Sequence, residues 1–179
     1  MLQQETLIMS AANYSAQEHL RDGRPVKIRA LRPDDETSML AAIDRTSTES
    51  LKRRFFVTKR KFSDMETTFF MNIDFVDHVA LVAEIDEDGR AAIVGGGRYV
   101  VVESGQAEIA FIVVDSYQRQ GIGAILVRHI VGLARAARLT QLSADVLPEN
   151  VAMLNVLGKL GFQIRGVDPQ VIHLRLTLI

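Results

Sequence analysis

A chain of 179 residues, 47% hydrophobic and 24% charged, suits one domain with a sizeable core. A formal net charge of −1 gives no global electrostatic case for nucleic acid or an anionic membrane, and no run approaches the ~18 apolar residues that cross a bilayer. Cysteine is absent, which excludes disulfides, thiolate metal sites and a Cys nucleophile, and the scattered His19, His78, His129 and His173 offer no metal-ligand spacing.

Residues 1–22 are polar and lack a firm period, so they read as a tail or short helix ahead of one domain at 23–179. With no basic n-region or apolar core at the start, no secretory signal is read, and a cytoplasmic setting is expected. Asp22-Gly23 is a turn signal before an alternating strand at 26–31. Pro33, Asp34 and Asp35 open a helix with Met39, Leu40 and Ile43 on one face, since proline and early carboxylates suit helix N-termini. Helical pieces at 48–55 and 63–71 follow, the second with Ser63 and Glu66 as a capping box and Phe69-Phe70-Met71 expected in the core.

The texture then turns to strands. One is read at 79–83, a turn at 86–89, a second strand at 91–102 broken at its start by Gly95-Gly96-Gly97, and a third at 107–114, together an antiparallel meander. A loop at 115–120 leads into a helix over 121–137 with Ile125, Leu126, Ile130 and Leu133 at helical spacing. A strand at 141–146, a helix introduced by Pro148-Glu149-Asn150 and ended by Gly161, and a strand at 171–178 complete the chain. The order predicts an α+β (mixed α/β) domain with a central mixed, mostly antiparallel sheet flanked by helices.

The loop carries the chemistry. Gly121 and Gly123 let the backbone approach a ligand without a Cβ. Amides at the start of the helix have no intrahelical acceptor, the helix dipole favours a diphosphate there, and Arg119 adds a cation. No Lys-Ser/Thr pair follows, as in a Walker loop, and the three spaced glycines of the dinucleotide fingerprint are missing. Alone, the loop is an anion-binding turn or a plain strand-to-helix connection.

Val113-Val114-Asp115-Ser116-Tyr117-Gln118-Arg119-Gln120-Gly121-Ile122-Gly123-Ala124 resembles the acetyl-CoA loop of the GNAT acetyltransferase superfamily, whose pattern is Gln/Arg-x-x-Gly-x-Gly/Ala. Asn150-Val151-Ala152-Met153-Leu154, through Leu160-Gly161-Phe162, is similar to that family's second cofactor-contacting helix and its Gly-Phe ending. The resemblance spans residues 26–162 and implies the GNAT-type acyl-CoA N-acyltransferase fold. Arg29-Ala30-Leu31-Arg32-Pro33-Asp34-Asp35, Arg53-Arg54-Phe55-Phe56, Ala107-Glu108-Ile109-Ala110-Phe111 and Val146-Leu147-Pro148-Glu149-Asn150 further resemble the catalytic domain of bacterial protein lysine acetyltransferases that modify acyl-CoA synthetases.

The resemblance implies acetyl-CoA as co-substrate, no metal, and an amine acceptor, either a protein lysine or a small molecule. It places the pantetheine arm on the backbone of Ile112, Val113 and Val114, and the diphosphate on Gln118, Arg119, Gln120, Gly121, Ile122, Gly123 and Ala124. Asn150 is read both as a coenzyme A contact and as a helix N-cap. Because an amine with a reference pKa near ~10.4 must lose a proton, a carboxylate base is required. Glu108 is the first choice, its apolar neighbours Ile109, Phe111 and Ile112 expected to shield it from water; Asp145 is the alternative. Leu157 stands where many relatives place a proton-donating tyrosine, and with no cysteine a direct transfer in a ternary complex is expected. Lys52-Arg53-Arg54 and Lys59-Arg60-Lys61 make a basic patch that either borders the acceptor groove or is a solvated helix face. A non-catalytic acetyl-CoA sensor is a further alternative, and monomer and homodimer both stay open.

Overall fold

The computed structural model describes residues 11–178, which form eight strands, five helices and two short 3-10 turns, with Ala11 and Ala12 also helical. Ser15–His19 (β1) and Pro25–Ala30 (β2) form a hairpin. A 3-10 turn at Pro33–Asp35 leads into Glu36–Asp44 (α1), followed by Thr48–Phe55 (α2) and Asp64–Met71 (α3). The meander is His78–Glu87 (β3), Arg90–Glu103 (β4) and Gln106–Val113 (β5). Ile122–Ala136 (α4), Gln141–Val146 (β6), Val151–Lys159 (α5), Gln163–Val167 (β7) and Ile172–Thr177 (β8) complete it.

All strands join one sheet in the order β1-β2-β3-β4-β5-β6-β8-β7. Only β5 and β6 run parallel, because the 15 residues of α4 carry the chain back across the sheet between them. The mixed, mostly antiparallel sheet expected from the sequence is therefore present. One face, with Leu81, Tyr99, Ile109 and Phe111, packs on Leu126 and Ile130 of α4 and forms the main core. The other face carries a smaller cluster, Leu31, Ala80, Val82 and Ile93, beneath Met39 and Ala42 of α1 and Met71 of α3. Among the described residues no helix is long and apolar enough to cross a membrane.

Three expectations change. Within 1–22, Ser15–His19 is an edge strand where a tail or short helix is expected, Ala11 and Ala12 are helical, and residues 1–10 lie outside the described residues. Its polar sequence hides it: β1 is held by the β2 ladder and by Glu18, whose Oε1 lies 2.8 Å from His129 Nε2 on α4. Gly95-Gly96-Gly97 does not break β4; the register slips between Ala83 and Glu84, where Val94 bulges. Glycine is needed there for packing, since a Cβ on Gly97 would sit 2.6 Å from the Phe111 ring. Finally, β7 has only exposed or half-buried residues and so lacks the apolar alternation that marks a strand. In the aromatic run, Phe70 packs against Phe55 and Phe62, whereas Phe69 is 51% exposed and stacks on His78.

A buried charge cluster fixes the helical side to the sheet. Arg29 on β2 donates to both oxygens of Asp35, at 2.7 and 2.9 Å, and to Glu84 on β3 at 2.7 Å. Burial pushes the Asp35 carboxyl up, but the Arg29 hydrogen bonds and the Arg32 amide outweigh it and hold the group below its ordinary value. Asp35→Asn leaves Arg29 half-paired in the interior and should cost about 3–5 kcal/mol in urea unfolding. Because the folded Asp35 titrates below the unfolded value near ~3.9, its contribution is present above that pH and lost as pH falls through the folded pKa. The gap between wild type and Asp35→Asn should therefore narrow below pH ~4. Gly97→Ala should cost about 1–3 kcal/mol by forcing Phe111 aside, read as a lower melting temperature.

Candidate active site

The β5–β6 ladder is short. Gln106, Ala107 and Glu108 pair with Gln141, Leu142 and Ser143, and pairing stops there. β5 continues to Val113 beside β4, while β6 follows β8, so the two strands part beyond Glu108. Among the described residues the ladder groups of 109–113 on that edge have no strand partner. A cleft fills the parting, walled by Ile109 and Phe111 from β5, Asp145 and Val146 from β6, and Met153 and Leu157 from α5. Unpaired strand edges of this kind accept an added extended ligand through main-chain hydrogen bonds.

At the far end of β5 the chain makes a 3-10 turn, Asp115–Tyr117, and enters the glycine loop. Arg119 and Gly121 have φ of 63° and 100°, which turn successive peptides outward. The carbonyls on the inner side are taken up, since Arg21 donates to Gln120 O at 3.2 Å and to Arg119 O at 3.3 Å. The backbone N–H groups of Gln120 through Ala124 have no backbone acceptor among the described residues, and α4 begins without a side-chain cap or an early carboxylate. Gly123 lies inside the first turn of α4, where glycine costs about 1 kcal/mol against alanine, yet apart from its chain neighbours and its own helix backbone no described atom lies within 4 Å of the place of its missing Cβ. Open space above a row of free amides at the positive end of a long helix suits a diphosphate. An unpaired strand edge leads straight to it. The residues present thus fit an acyl-CoA.

The loop side chains serve the protein. Gln118 Nε2 donates to Ser50 Oγ and to Val113 O, both at 3.0 Å. Gln120 accepts from Arg24 at 2.7 Å and donates to Ser116 O. Ile122 is buried under Gly95, and Val114 is buried with its N–H on Val94 O. Ile112 lines a second, apolar cavity under α1, α2 and α3. Asn150 caps α5, accepting from Met153 N at 3.3 Å, and also lines the cleft.

Both candidate carboxylates reach the cleft, in different states. Glu108 stands at the point where the ladder ends, exposed, and on the sheet face opposite Ile109 and Phe111. The expected shielding by those two residues is therefore absent, because alternation along a strand sends them into the α4-side core. Asp145 is already engaged: its Oδ1 lies 2.7 Å from His173 Nδ1, and Asp168 lies 2.9 Å from His173 Nε2. The hydrogen bonds to Asp168 and Asp145 raise the His173 pKa above its ordinary value. Leu157 is fully buried in the cleft wall and offers no proton. No group of three or more metal-binding side chains occurs among the described residues.

The basic patch separates into parts. Lys52 approaches Glu149 at 4.0 Å, Arg53 pairs with Glu49, and Lys59 pairs with Glu66. Arg53 Nε is buried without an acceptor beside the cleft, and Arg54 turns inward to line both cavities. Sequence reasoning missed the tie between loop and helix: Ser47 N–H and Ser50 Oγ–H donate to the two oxygens of Asp115, at 2.8 and 3.2 Å. No local signal marks it, since its partners lie 65 or more residues apart.

The Acetyltransferase (GNAT) family profile matches residues 45–162. An acetyltransferase of Pseudomonas aeruginosa is 37% identical over 166 residues, covering 90% of this chain and 88% of its own. The acetyltransferase Pat of Mycolicibacterium smegmatis is 29% identical over 79% of this chain, which spans 42% of that longer relative. The crystal structure of the GNAT domain of S. lividans PAT superposes with a TM-score of 0.84 at 30% identity, covering 92% of this chain and 97% of that one. A Salmonella typhimurium acetyltransferase solved with acetyl-CoA shares the fold, with a TM-score of 0.65 at 17% identity over 86% of this chain and 94% of that one. The chain belongs to the GNAT acetyltransferase family and is an acetyl-CoA-dependent N-acetyltransferase.

Proposed function

We propose that the enzyme acetylates lysine side chains of proteins, for example acyl-CoA synthetases, with Glu108 as the general base. The single observation that carries the reading is the end of the β5–β6 ladder at Glu108, which puts a carboxylate where the cleft begins. Similarity to the proteins called Pat supports the lysine acceptor. So does the rim of the cleft, where Phe56 is 39% exposed as a contact for a protein surface. A cytoplasmic setting, with its acetyl-CoA, suits this role.

In this mechanism the open edge of β5 over residues 109–113, including Ile112 and Val113, receives the pantetheine arm, while the Val114 N–H is held by Val94 O. The amides of Gln120, Gly121, Ile122, Gly123 and Ala124 take the diphosphate, with Arg119 beside them. Gln118 shapes the loop through Ser50 and Val113. Asn150 uses Oδ1 as the α5 cap and turns its amide to coenzyme A. Glu108 takes the proton from the acceptor ammonium, the freed nitrogen attacks the acetyl carbon, and the carbon–sulfur bond breaks as the carbon–nitrogen bond forms. The thiolate takes a proton from solvent or from the acceptor nitrogen, since Leu157 has none to give. Asp145 is the weaker candidate because its Oδ1 is already engaged with His173 at 2.7 Å.

Glu108→Gln should lower kcat by about 10²–10⁴-fold near neutral pH with acetyl-CoA affinity kept, whereas Asp145→Asn should lower it by less than about tenfold. The reverse pattern moves the base to Asp145. Gly121→Ala places a Cβ at φ 100°, a strain of about 1–2 kcal/mol relieved by reorienting the loop amides. Its KM for acetyl-CoA should rise about 5–30-fold with kcat little changed. Thiol release from acetyl-CoA, measured on lysine peptides and on free small amines, tests the acceptor. Turnover on small amines alone overturns the protein-lysine reading, and binding without turnover on any acceptor leaves a sensor.

A further inference from the structure

Two guanidiniums on the helical side of the sheet face one cavity. Arg98, on β4, donates from Nη1 to Phe70 O at 3.2 Å, lies 3.0 Å from His78 Nε2 and sits over the Phe70 ring at 5.1 Å. Arg54, near the end of α2, lies over the Phe55 ring at 4.6 Å. Among the described residues neither makes an ion pair with a carboxylate, although the other inward-facing arginine on this side, Arg29, has two. Both line one cavity of about 60 Å³, walled otherwise by Thr46 and by apolar side chains including Met39, Ile43, Phe55, Phe70 and Ile112. Such a space holds several waters or a small organic group.

The surroundings make this pairing costly. Burial pushes the Arg54 guanidinium down to about 10, with Glu108 pulling it back up. Burial and then the charge of Arg54 push Arg98 down to about 9. His78 supplies no negative charge: burial and the adjacent Arg98 hold its pKa at about 4, so it is neutral at physiological pH. Two like charges facing one apolar cavity are stabilised by an anion between them, and planar guanidiniums match a carboxylate in geometry. The cavity is also placed for the chemistry. Arg54 and Ala110 line both it and the cleft that holds Glu108. Arg98 pairs across β4–β5 with Ala110, two positions from Glu108 on the same sheet face, a separation of about 7 Å along the strand.

We propose that Arg54 and Arg98 form an anion subsite for the acceptor, so that the amine substrate carries a carboxylate seated between them while its amine reaches Glu108. The proposal deepens the assignment of Glu108 as base and rests on it for the direction in which the acceptor lies. The carboxylate belongs either to a free amino acid or to an acidic residue beside the target lysine.

Binding is tested first without acetyl transfer, with sodium butyrate as probe and butyramide as its uncharged control, by calorimetry on the full chain saturated with CoA. Wild type and Glu108→Gln should both bind butyrate and not butyramide, and Arg98→Met should bind butyrate at least tenfold more weakly. Arg98→Lys, which keeps the charge and loses the fork, should fall between and serves where the methionine variant does not fold. Equal binding of butyrate and butyramide, or unchanged butyrate binding in the folded variant, overturns the subsite whatever Glu108 does. Thiol release then separates the sources, with free amino acids against their amides and lysine peptides flanked by Asp against those flanked by Asn. In the series that is used, Arg98→Met should raise KM at least tenfold for the carboxylate form alone, with KM for acetyl-CoA unchanged. An equal effect on both forms overturns the subsite.

Discussion

A parallel strand pair that stops after three residues organises the rest of this molecule. Parallel pairing of β5 and β6 requires the long return through α4. That return delivers the N-terminus of α4 to the end of β5, with its amides facing out. Once the ladder ends at Glu108, the edge of β5 is exposed over the same stretch that leads to those amides. One topological decision therefore creates a slot for an extended arm, an anion cradle at one end and a carboxylate at the other.

Charge is distributed around this slot with an economy of partners. Where an inward charge has a structural duty it is neutralised, as with Arg29 between Asp35 and Glu84. His173 is likewise held between Asp145 and Asp168 at the outer wall. Among the described residues the loop amides lack a backbone acceptor, Arg53 Nε lacks any acceptor, and Arg54 and Arg98 lack an ion pair; all of them border a cavity or the loop. Unmet hydrogen-bonding and charge capacity in a folded protein is costly, and its confinement to one connected region is what distinguishes a binding site from a surface.

Much of this was legible in the residues themselves. The glycine loop, the amphipathic α4, the capping box of α3, the alternation in β2 and the apolar runs of β3 and β5 are local patterns, and each is present at the expected place. Glu108 and Asp145 both reach the cleft, because strand position was enough to place them. What escaped was set by contacts distant in sequence. β1 is polar and exists through its ladder and Glu18; β7 carries no apolar alternation; the glycines of β4 read as a break because the Phe111 ring that needs their space lies elsewhere in the chain. The cationic run in α2 read as a surface patch, since periodicity alone does not tell which of three successive basic residues turns inward.

Asp115 joins regions that are usually considered apart. It opens the glycine loop, yet its two oxygens hold the first turn of α2, the helix that carries Arg53 and Arg54. Gln118 adds a second strap through Ser50. The glycine loop and α2, the proposed donor and acceptor sides of the site, are thus tied together at this corner. By thermodynamic reciprocity, any shift of α2 that accompanies acceptor binding alters donor affinity by the same factor that donor binding alters acceptor affinity. Substitutions in Ser47 or Ser50 will register as changes in donor affinity although neither residue belongs to the loop. Kinetic order of addition is the property through which this coupling becomes visible.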